Sequence, residues 1–442
     1  MKILLTHCYT DKNKGDAAII IATTQLIRSV CENANIHMMS TFSSNDPQFD
    51  TEHELISKFC NKLHPALFGQ PTKFLGFQHD SLRIISFIVS LVKCALMLTS
   101  KRFVSNFFFS KEEVAAFDTF LTSDVIISKG GSYITTQNKS LRQFFSMMTM
   151  LFPFILAARY KKKIVIFSQS LGPVTGFLQK YLFKVTLSYC THIFLRERYC
   201  LEKYEEVAQL CASTPYDVIP DSAFAFDISN YSFDKIKLNE GGEFKLGLTV
   251  VDHAFKYIEN SEEREFKRKK YFESIIELVK FVNDRNGYVH VFPQVTVPNS
   301  HKGLTDTDFA KNIVAELKDT KYSQSVFFYD KELTPFELKD AYSNMDVFIG
   351  TRLHSVIFAL SSFVPAINIS YHGTKSRGIF KQFLGSDEFV LDIDTIDGGQ
   401  LIAKVGSLID SKSEIRQRLV GCSEVAQLNL IAAMRKALSL CS

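Results

Sequence analysis

Apolar residues fall in short runs separated by polar turns and by longer amphipathic stretches, a pattern that predicts alternating strands and helices. KILLTH (Lys2 to His7) is one such run. A polar loop and a helical pattern from Asp16 to Cys31 follow it, and IHMMS (Ile36 to Ser40) predicts a second strand. This βαβ opening points to a parallel sheet. After an irregular and helical insertion over about residues 45–120, the alternation resumes. DVIIS (Asp124 to Ser128) leads into a helix over 140–159, KIVIFS (Lys163 to Ser168) into another, and THIFLR (Thr191 to Arg196) into a helix from Glu197. YDVIPD (Tyr216 to Asp221) closes the first unit.

Residues 227–243 are polar and glycine-containing and read as a linker. Beyond them lie strand candidates KLGLTV (Lys245 to Val250), YVHVFP (Tyr288 to Pro293), SVFFY (Ser325 to Tyr329), DVFIG (Asp346 to Gly350) and PAINIS (Pro365 to Ser370). Helical patterns over 267–285, 306–318, 335–344 and 354–361 separate them. The expected architecture is α/β: two Rossmann-like, doubly wound domains, 1–226 and 244–442, facing a central cleft. Ligands of such sheets bind beyond the carboxyl ends of strands.

Composition narrows the function classes. A chain of 442 residues is too long for one ordinary core. A net charge of +4 gives no case for nucleic acid. The 9 cysteines are scattered and never spaced C-x-x-C, which argues for reduced thiols in a cytoplasmic protein and against a zinc site. MKILLTHCY runs directly into polar DKNKGD, unlike a signal peptide. The apolar runs at 84–98 and 144–158 fall short of the ~20 residues that cross a bilayer, so no span is expected.

The candidate chemistry sits at predicted strand ends. In IGTRLHSVIFAL, Arg352, Leu353 and His354 open a helix after Gly350. Backbone N–H groups and the dipole favour an anion there, Arg352 adds a planar fork, and His354 can move a proton near neutral pH. The plain alternative is an arginine pairing a surface carboxylate and a packed histidine. The first strand ends in a loop containing Asn13, Gly15 and Asp16, where Asp16 either caps the helix or serves as a carboxylate base. Gly130 and Gly131 in SKGGSY allow close backbone approach, but no dinucleotide fingerprint or Walker motif is present. Gln169 and Ser170 offer neutral hydrogen-bonding groups. Arg196, in Arg196–Glu197–Arg198, and Lys375, in Tyr371–His372–Gly373–Thr374–Lys375, are further cations at strand ends. Cations from 196, 352 and 375 converging on one site would suit a small polyanion.

With NKGDAAI, DVIISKGGSYI, FSQSLGP, FLRERYC, IPDSAF, IGTRLHSVIFAL and YHGTKSRGIFKQFLG in that order, the chain resembles the polysaccharide pyruvyl transferase family from residue 3 to about 385. The resemblance implies two Rossmann-like halves arranged as in GT-B glycosyltransferases. It also implies transfer of a pyruvyl group from phosphoenolpyruvate to two sugar hydroxyls, giving a cyclic ketal and phosphate, with no metal or redox cofactor. Arg352, Arg196 and Lys375 would hold the donor's two anionic groups, and His354 would protonate its methylene carbon. Family members can carry an acid just after the glycine motif. Here Ser132, Tyr133, Ile134 and Thr135 occupy that stretch, leaving Asp16 as the substitute base and Asp221 as another carboxylate at a strand end.

The apolar segments Leu82 to Phe103 and 141–163 carry flanking basic residues. They read either as buried helices or as peripheral contact with the inner membrane face, where a lipid-linked acceptor would lie. Two readings compete with the pyruvyl transferase: a GT-B nucleotide-sugar glycosyltransferase, and a non-catalytic glycan- or anion-binding protein on the same scaffold.

Overall fold

In the computed structural model, which describes residues 1–69, 80–105, 107–251, 255, 258–296, 306–371 and 374–441, the chain forms two α/β units. The first comprises Met1–Asp11, Ile19–Ser222 and Leu428–Ser442; the second comprises Lys12–Ala18 and Ala223–Gln427. The expected division near residues 227–243 therefore omits two exchanges. The loop after the first strand belongs with the second unit, and the C-terminal end of the last helix belongs with the first.

The first unit runs β1 (Lys2–Cys8), α1 (Lys14–Val30), β2 (Asn35–Ser40), β3 (Lys62–His64), α2 (Asp80–Thr99), α3 (Lys111–Thr122), β4 (Val125–Ser128), α4 (Leu141–Arg159), β5 (Ile164–Gln169), α5 (Phe177–Leu187), β6 (His192–Leu195), α6 (Tyr199–Lys203), α7 (Glu205–Cys211) and β7 (Tyr216–Val218). Its strands form a 7-stranded parallel sheet in the order β3-β2-β1-β4-β5-β6-β7. Central strands such as β4 (VIIS) and β5 (IVIFSQ) are buried at every position, as a sheet covered by helices on both faces requires.

The second unit runs β8 (Phe244–Thr249), α8 (Ser261–Asp284), β9 (Gly287–Val291), α9 (Asp306–Leu317), β10 (Val326–Phe328), α10 (Pro335–Ser343), β11 (Val347–Gly350), α11 (Leu353–Ser361), β12 (Ala366–Ser370), α12 (Thr374–Leu384), β13 (Val390–Asp392), α13 (Gly398–Asp410) and α14 (Lys412–Cys441). Its 6-stranded sheet has the order β10-β9-β8-β11-β12-β13, again parallel. In each sheet the strand order reverses once, at β1/β4 and at β8/β11. That is where side chains of strand-end loops gather in folds of this kind.

Most predicted elements lie within two residues of those observed. The insertion is more regular than expected, because Cys94 and Met97 of α2 and Ala116, Phe117 and Phe120 of α3 join the core of the first unit. It also contributes β3 to the sheet, and residues 70–79 of the insertion lie outside the described residues. Helix α4 is long and apolar enough to cross a bilayer by length and composition, yet half of it is buried in this core.

Candidate active site

Strand β11 ends at Gly350, and the chain turns at once into α11. A Cβ at Gly350 would collide with Val356 Cγ2 and lie 2.7 Å from Ser355 Oγ, so only glycine permits this turn. Side chains pin it from every direction. Asn368 Nδ2 donates to the Gly350 carbonyl at 2.8 Å, and the Ser355 hydroxyl lies 2.7 Å from Thr249 Oγ1. The hydroxyl of fully buried Tyr271 meets Thr351 Oγ1 at 2.7 Å, and burial raises its pKa above the ordinary phenolic value. Arg352 occupies the N-cap position in extended conformation, and no side chain among the described residues caps α11. The helix therefore presents its N-terminal end as an anion-favouring pole.

The Arg352 side chain has a partner that sequence reasoning missed. Its Nε and Nη2 donate to the two carboxylate oxygens of Asp306 at 2.9 and 2.6 Å, and Nη1 reaches the Tyr371 hydroxyl at 3.1 Å. The side chains of Arg352 and Asp306 are 13% and 1% exposed, respectively. Burial opposes the guanidinium charge, but Asp306 and then Tyr371 outweigh it and push the pKa up, so Arg352 stays ionised. The expectation of a fork held open for an anion is thus corrected. Three of the five guanidinium N–H donors are engaged by described residues, leaving one on each terminal nitrogen. Asp306 reads in sequence as an ordinary acid at the start of α9, and nothing local marks it as a buried partner.

Asp306 also accepts from the Val295 backbone N–H at 3.1 Å, and Val295 forms an antiparallel bridge with Asn13. The loop after β1 is thereby tied into the second unit. The Thr296 N–H donates to the Lys12 carbonyl at 3.1 Å, and Lys14 Nζ pairs with Glu332 at 3.0 Å. Asn13, rather than Asp16, caps α1: its Oδ1 accepts from the Asp16 N–H at 3.3 Å, while Asn13 Nδ2 donates to Asp16 Oδ2 at 2.6 Å. The cap assignment to Asp16 fails because Asp16 stands three residues into the motif.

Gly15 is packed beneath the imidazole of His354. A Cβ there would collide with Nδ1 and lie 2.6 Å from Cγ and 2.7 Å from Cβ of His354. The N-terminal turns of α1 and α11 consequently meet at the Gly15–His354 contact, bringing Asn13, Gly15, Asp16, Arg352, Leu353 and His354 into one neighbourhood. Lys375 is half-buried in the first turn of α12, four residues after Tyr371; His372 and Gly373 lie outside the described residues.

The remaining candidates belong to the first unit. Gly130 cannot carry a side chain, since a Cβ would lie 2.6 Å from the Ser168 carbonyl oxygen. Gly131 holds a φ of 136° that favours glycine and bridges Gln169. The Gln169 carboxamide is fully buried and makes no hydrogen bond among the described residues. Lys129 is a buried cation that the sequence did not single out. Arg196 is corrected: it is buried, its Nη1 donates to Asp221 at 2.6 Å and its Nε to Ser170 Oγ at 2.7 Å. These contacts make it a tie between the ends of β5, β6 and β7 rather than a receptor for a soluble anion, and they engage the carboxylate of Asp221 as well.

Comparison with known proteins identifies the family and the fold. A family model described as polysaccharide pyruvyl transferase matches residues 13–373, a span that contains Asn13, Gly15, Asp306, Arg352 and His354. The chain is 23% identical over 433 residues, 96% of each chain, to the amylovoran biosynthesis protein AmsJ of Erwinia amylovora. Among solved structures, a putative UDP-N-acetylglucosamine 2-epimerase from Listeria monocytogenes matches with a TM-score of 0.53 at 10% identity, covering 99% of this chain and 95% of that one. A UDP-glucose:anthocyanidin 3-O-glucosyltransferase in complex with UDP matches with a TM-score of 0.53 at 8% identity, covering 99% and 98%. These likenesses concern the fold alone, which is GT-B-like.

Proposed function

Because the chain belongs to the polysaccharide pyruvyl transferase family, we propose that it moves the pyruvyl group of phosphoenolpyruvate onto two hydroxyls of one sugar in a surface polysaccharide or its lipid-linked precursor. The observation that carries this reading is the His354 imidazole seated on Gly15 where α1 and α11 begin. Two helix N-termini and the remaining donors of Arg352 favour the phosphate and carboxylate of the donor, and Lys375 at the start of α12 adds a cation. The negative charge of the donor in turn favours the imidazolium form of His354.

His354 then delivers its proton to the methylene carbon, leaving an oxocarbenium-like centre at C2. One sugar hydroxyl adds to C2 and gives up its proton to Asp16, which Asn13 orients. The C2–O bond to phosphate breaks, the second hydroxyl closes the ring, and its proton departs with phosphate. The products are the cyclic ketal and inorganic phosphate. Asp16 is assigned the base role because it follows Gly15 directly; its place in the cap motif would by itself favour an acid. No redox or metal chemistry enters this scheme.

Incubation of the full-length protein with phosphoenolpyruvate and a panel of polysaccharides and repeat-unit acceptors tests the reading. Phosphate released in step with an acid-labile ketal methyl signal is expected. Consumption of a UDP-sugar instead would assign the glycosyltransferase reading, and saturable acceptor binding with neither donor consumed would assign the binding-protein reading.

A further inference from the structure

Helix α5 keeps a row of large apolar side chains in solvent: Phe177 is 88% exposed, Leu178 54%, Tyr181 56% and Val185 39%. Their spacing places them on one side of the helix. Two other elements of the same unit extend this surface. Gly176, which precedes α5, lies against Lys139, which precedes α4: a Cβ at Gly176 would lie 3.4 Å from Lys139 Cγ. The Thr175 N–H also donates to Thr136 Oγ1 at 2.7 Å, so the loops before α4 and α5 are joined. At the start of α4, Leu141 is 75% exposed. Farther along α4, Phe145 meets Phe87 of α2 with ring centroids 4.7 Å apart, and next to Phe87 the exposed Ile88, Val89 and Val92 face solvent.

The charge pattern says what could cover this surface. Between Asp124 and Glu197 the sequence contains no Asp or Glu, yet it contains ten Lys and Arg residues, of which Lys129 and Arg196 are buried and Lys180 pairs with Glu206 of α7. Lys139 and Arg142 stand exposed beside Leu141, and Lys184 lies along α5. A second protein would need a large acidic face to match. An anionic bilayer supplies negative charge and a hydrocarbon boundary together, and the combination of exposed aromatic and aliphatic side chains with flanking cations is the signature of interfacial helices.

We propose that α5, the start of α4 and the Ile88–Val92 face of α2 form a docking surface for an anionic membrane. Helices α4 and α5 follow β4 and β5, so their N-termini lie at the carboxyl edge of the sheet, the edge that carries Gly130, Gly131 and Gln169. Docking through those N-termini would bring the strand-end loops of this unit to the membrane surface. That consequence rests on the pyruvyl transferase reading and deepens it, by making the acceptor a lipid-linked sugar. The docking itself does not depend on turnover.

Flotation of the full-length protein with vesicles of phosphatidylcholine alone, or with about a third phosphatidylglycerol, tests the surface. Binding is expected only to the anionic vesicles and should weaken with salt. Phe177→Asp with Leu178→Asp should cut the bound fraction by about tenfold or more, since each side chain loses a hydrocarbon environment. Lys139→Glu with Arg142→Glu should remove the preference for anionic lipid. All four residues are exposed, and a thermal melt verifies that the variants fold. Absence of wild-type binding in low salt, or variants that float like wild type, would overturn the proposal. So would variants that dissolve a homodimer in solution while vesicle binding is unchanged. Phosphate release with a short, water-soluble acceptor is scored separately, so failed docking and failed chemistry are distinguishable.

Discussion

The Cβ atom of His354 lies 2.7 Å from the place where a Cβ at Gly15 would stand. Because the conflict involves the root of the histidine side chain and not only its ring, no rotamer of His354 relieves it. Either α1 or α11 must shift. The two residues are 339 positions apart in sequence (354 − 15), yet each dictates what the other can be.

Gly15→Ala is therefore expected to lower turnover by about 100-fold through displacement of the imidazole. Overpacking should cost about 1–3 kcal/mol of stability, partly offset by up to ~1 kcal/mol from the better helix propensity of alanine. Steady-state rates and urea unfolding read the two effects. A double-mutant cycle with His354→Gly supplies the control, because removing the histidine side chain should erase most of the stability cost of the alanine. An equal stability cost in both backgrounds would mean that the contact is not the cause.

The Arg352–Asp306 pair makes a different demand. A buried guanidinium that loses its carboxylate is left uncompensated, so Asp306→Asn should destabilise the protein by about 3–5 kcal/mol. Arg352→Lys should not be benign, since an ammonium cannot serve both carboxylate oxygens and the Tyr371 hydroxyl in the planar geometry seen here. Urea unfolding of both variants measures this. A loss under about 1 kcal/mol for Asp306→Asn would contradict the burial argument.

What was legible in the sequence follows from which interactions are local. The strands of the two sheets were readable because central parallel strands are continuous apolar runs, as in VIIS and IVIFSQ. The edge strands β3 and β13 were not, whereas β7 and β10, equally short edge strands, were, because the runs YDVIPD and SVFFY extend beyond their paired residues. At the site, Gly350, Arg352 and His354 announced themselves as a strand-to-helix turn. Asp306 did not, since its pairing with Arg352 spans 46 residues and leaves no mark on its neighbours. Arg196 illustrates the converse error: a cation at a strand end has the same sequence signature whether it faces a ligand or, as here, a buried aspartate.

Arg196→Met tests that distinction. If Arg196 is a scaffold tie, its loss removes a buried ion pair with Asp221 and a hydrogen bond to Ser170 and should cost about 3–5 kcal/mol of stability. The KM for phosphoenolpyruvate, measured well below the melting temperature, should change by less than about threefold. A large rise in that KM with stability unchanged would restore the donor-binding role.

Acid should unfold this protein from within its cores. His7, His64 and His290 are buried, and burial is the main reason their pKa values are lowered from 6.5 to about 4. Each is therefore neutral in the folded chain at pH 5, whereas the same side chain in the unfolded chain is mostly protonated. The unfolded state binds more protons throughout the window between pH 6.5 and about 4, so stability is complete above 6.5 and is lost as the pH falls through that window. Each histidine can contribute a slope of as much as ~1.4 kcal/mol per pH unit. Urea midpoints measured at pH 7, 6 and 5 should decline progressively, and His290→Gln should remove about one proton's worth of that slope. His290 is the informative choice because its Nδ1 contact to the Tyr329 hydroxyl, at 2.8 Å, is one a glutamine amide can replace. Midpoints that stay level or rise on acidification would show that these imidazoles enter the folded state already charged.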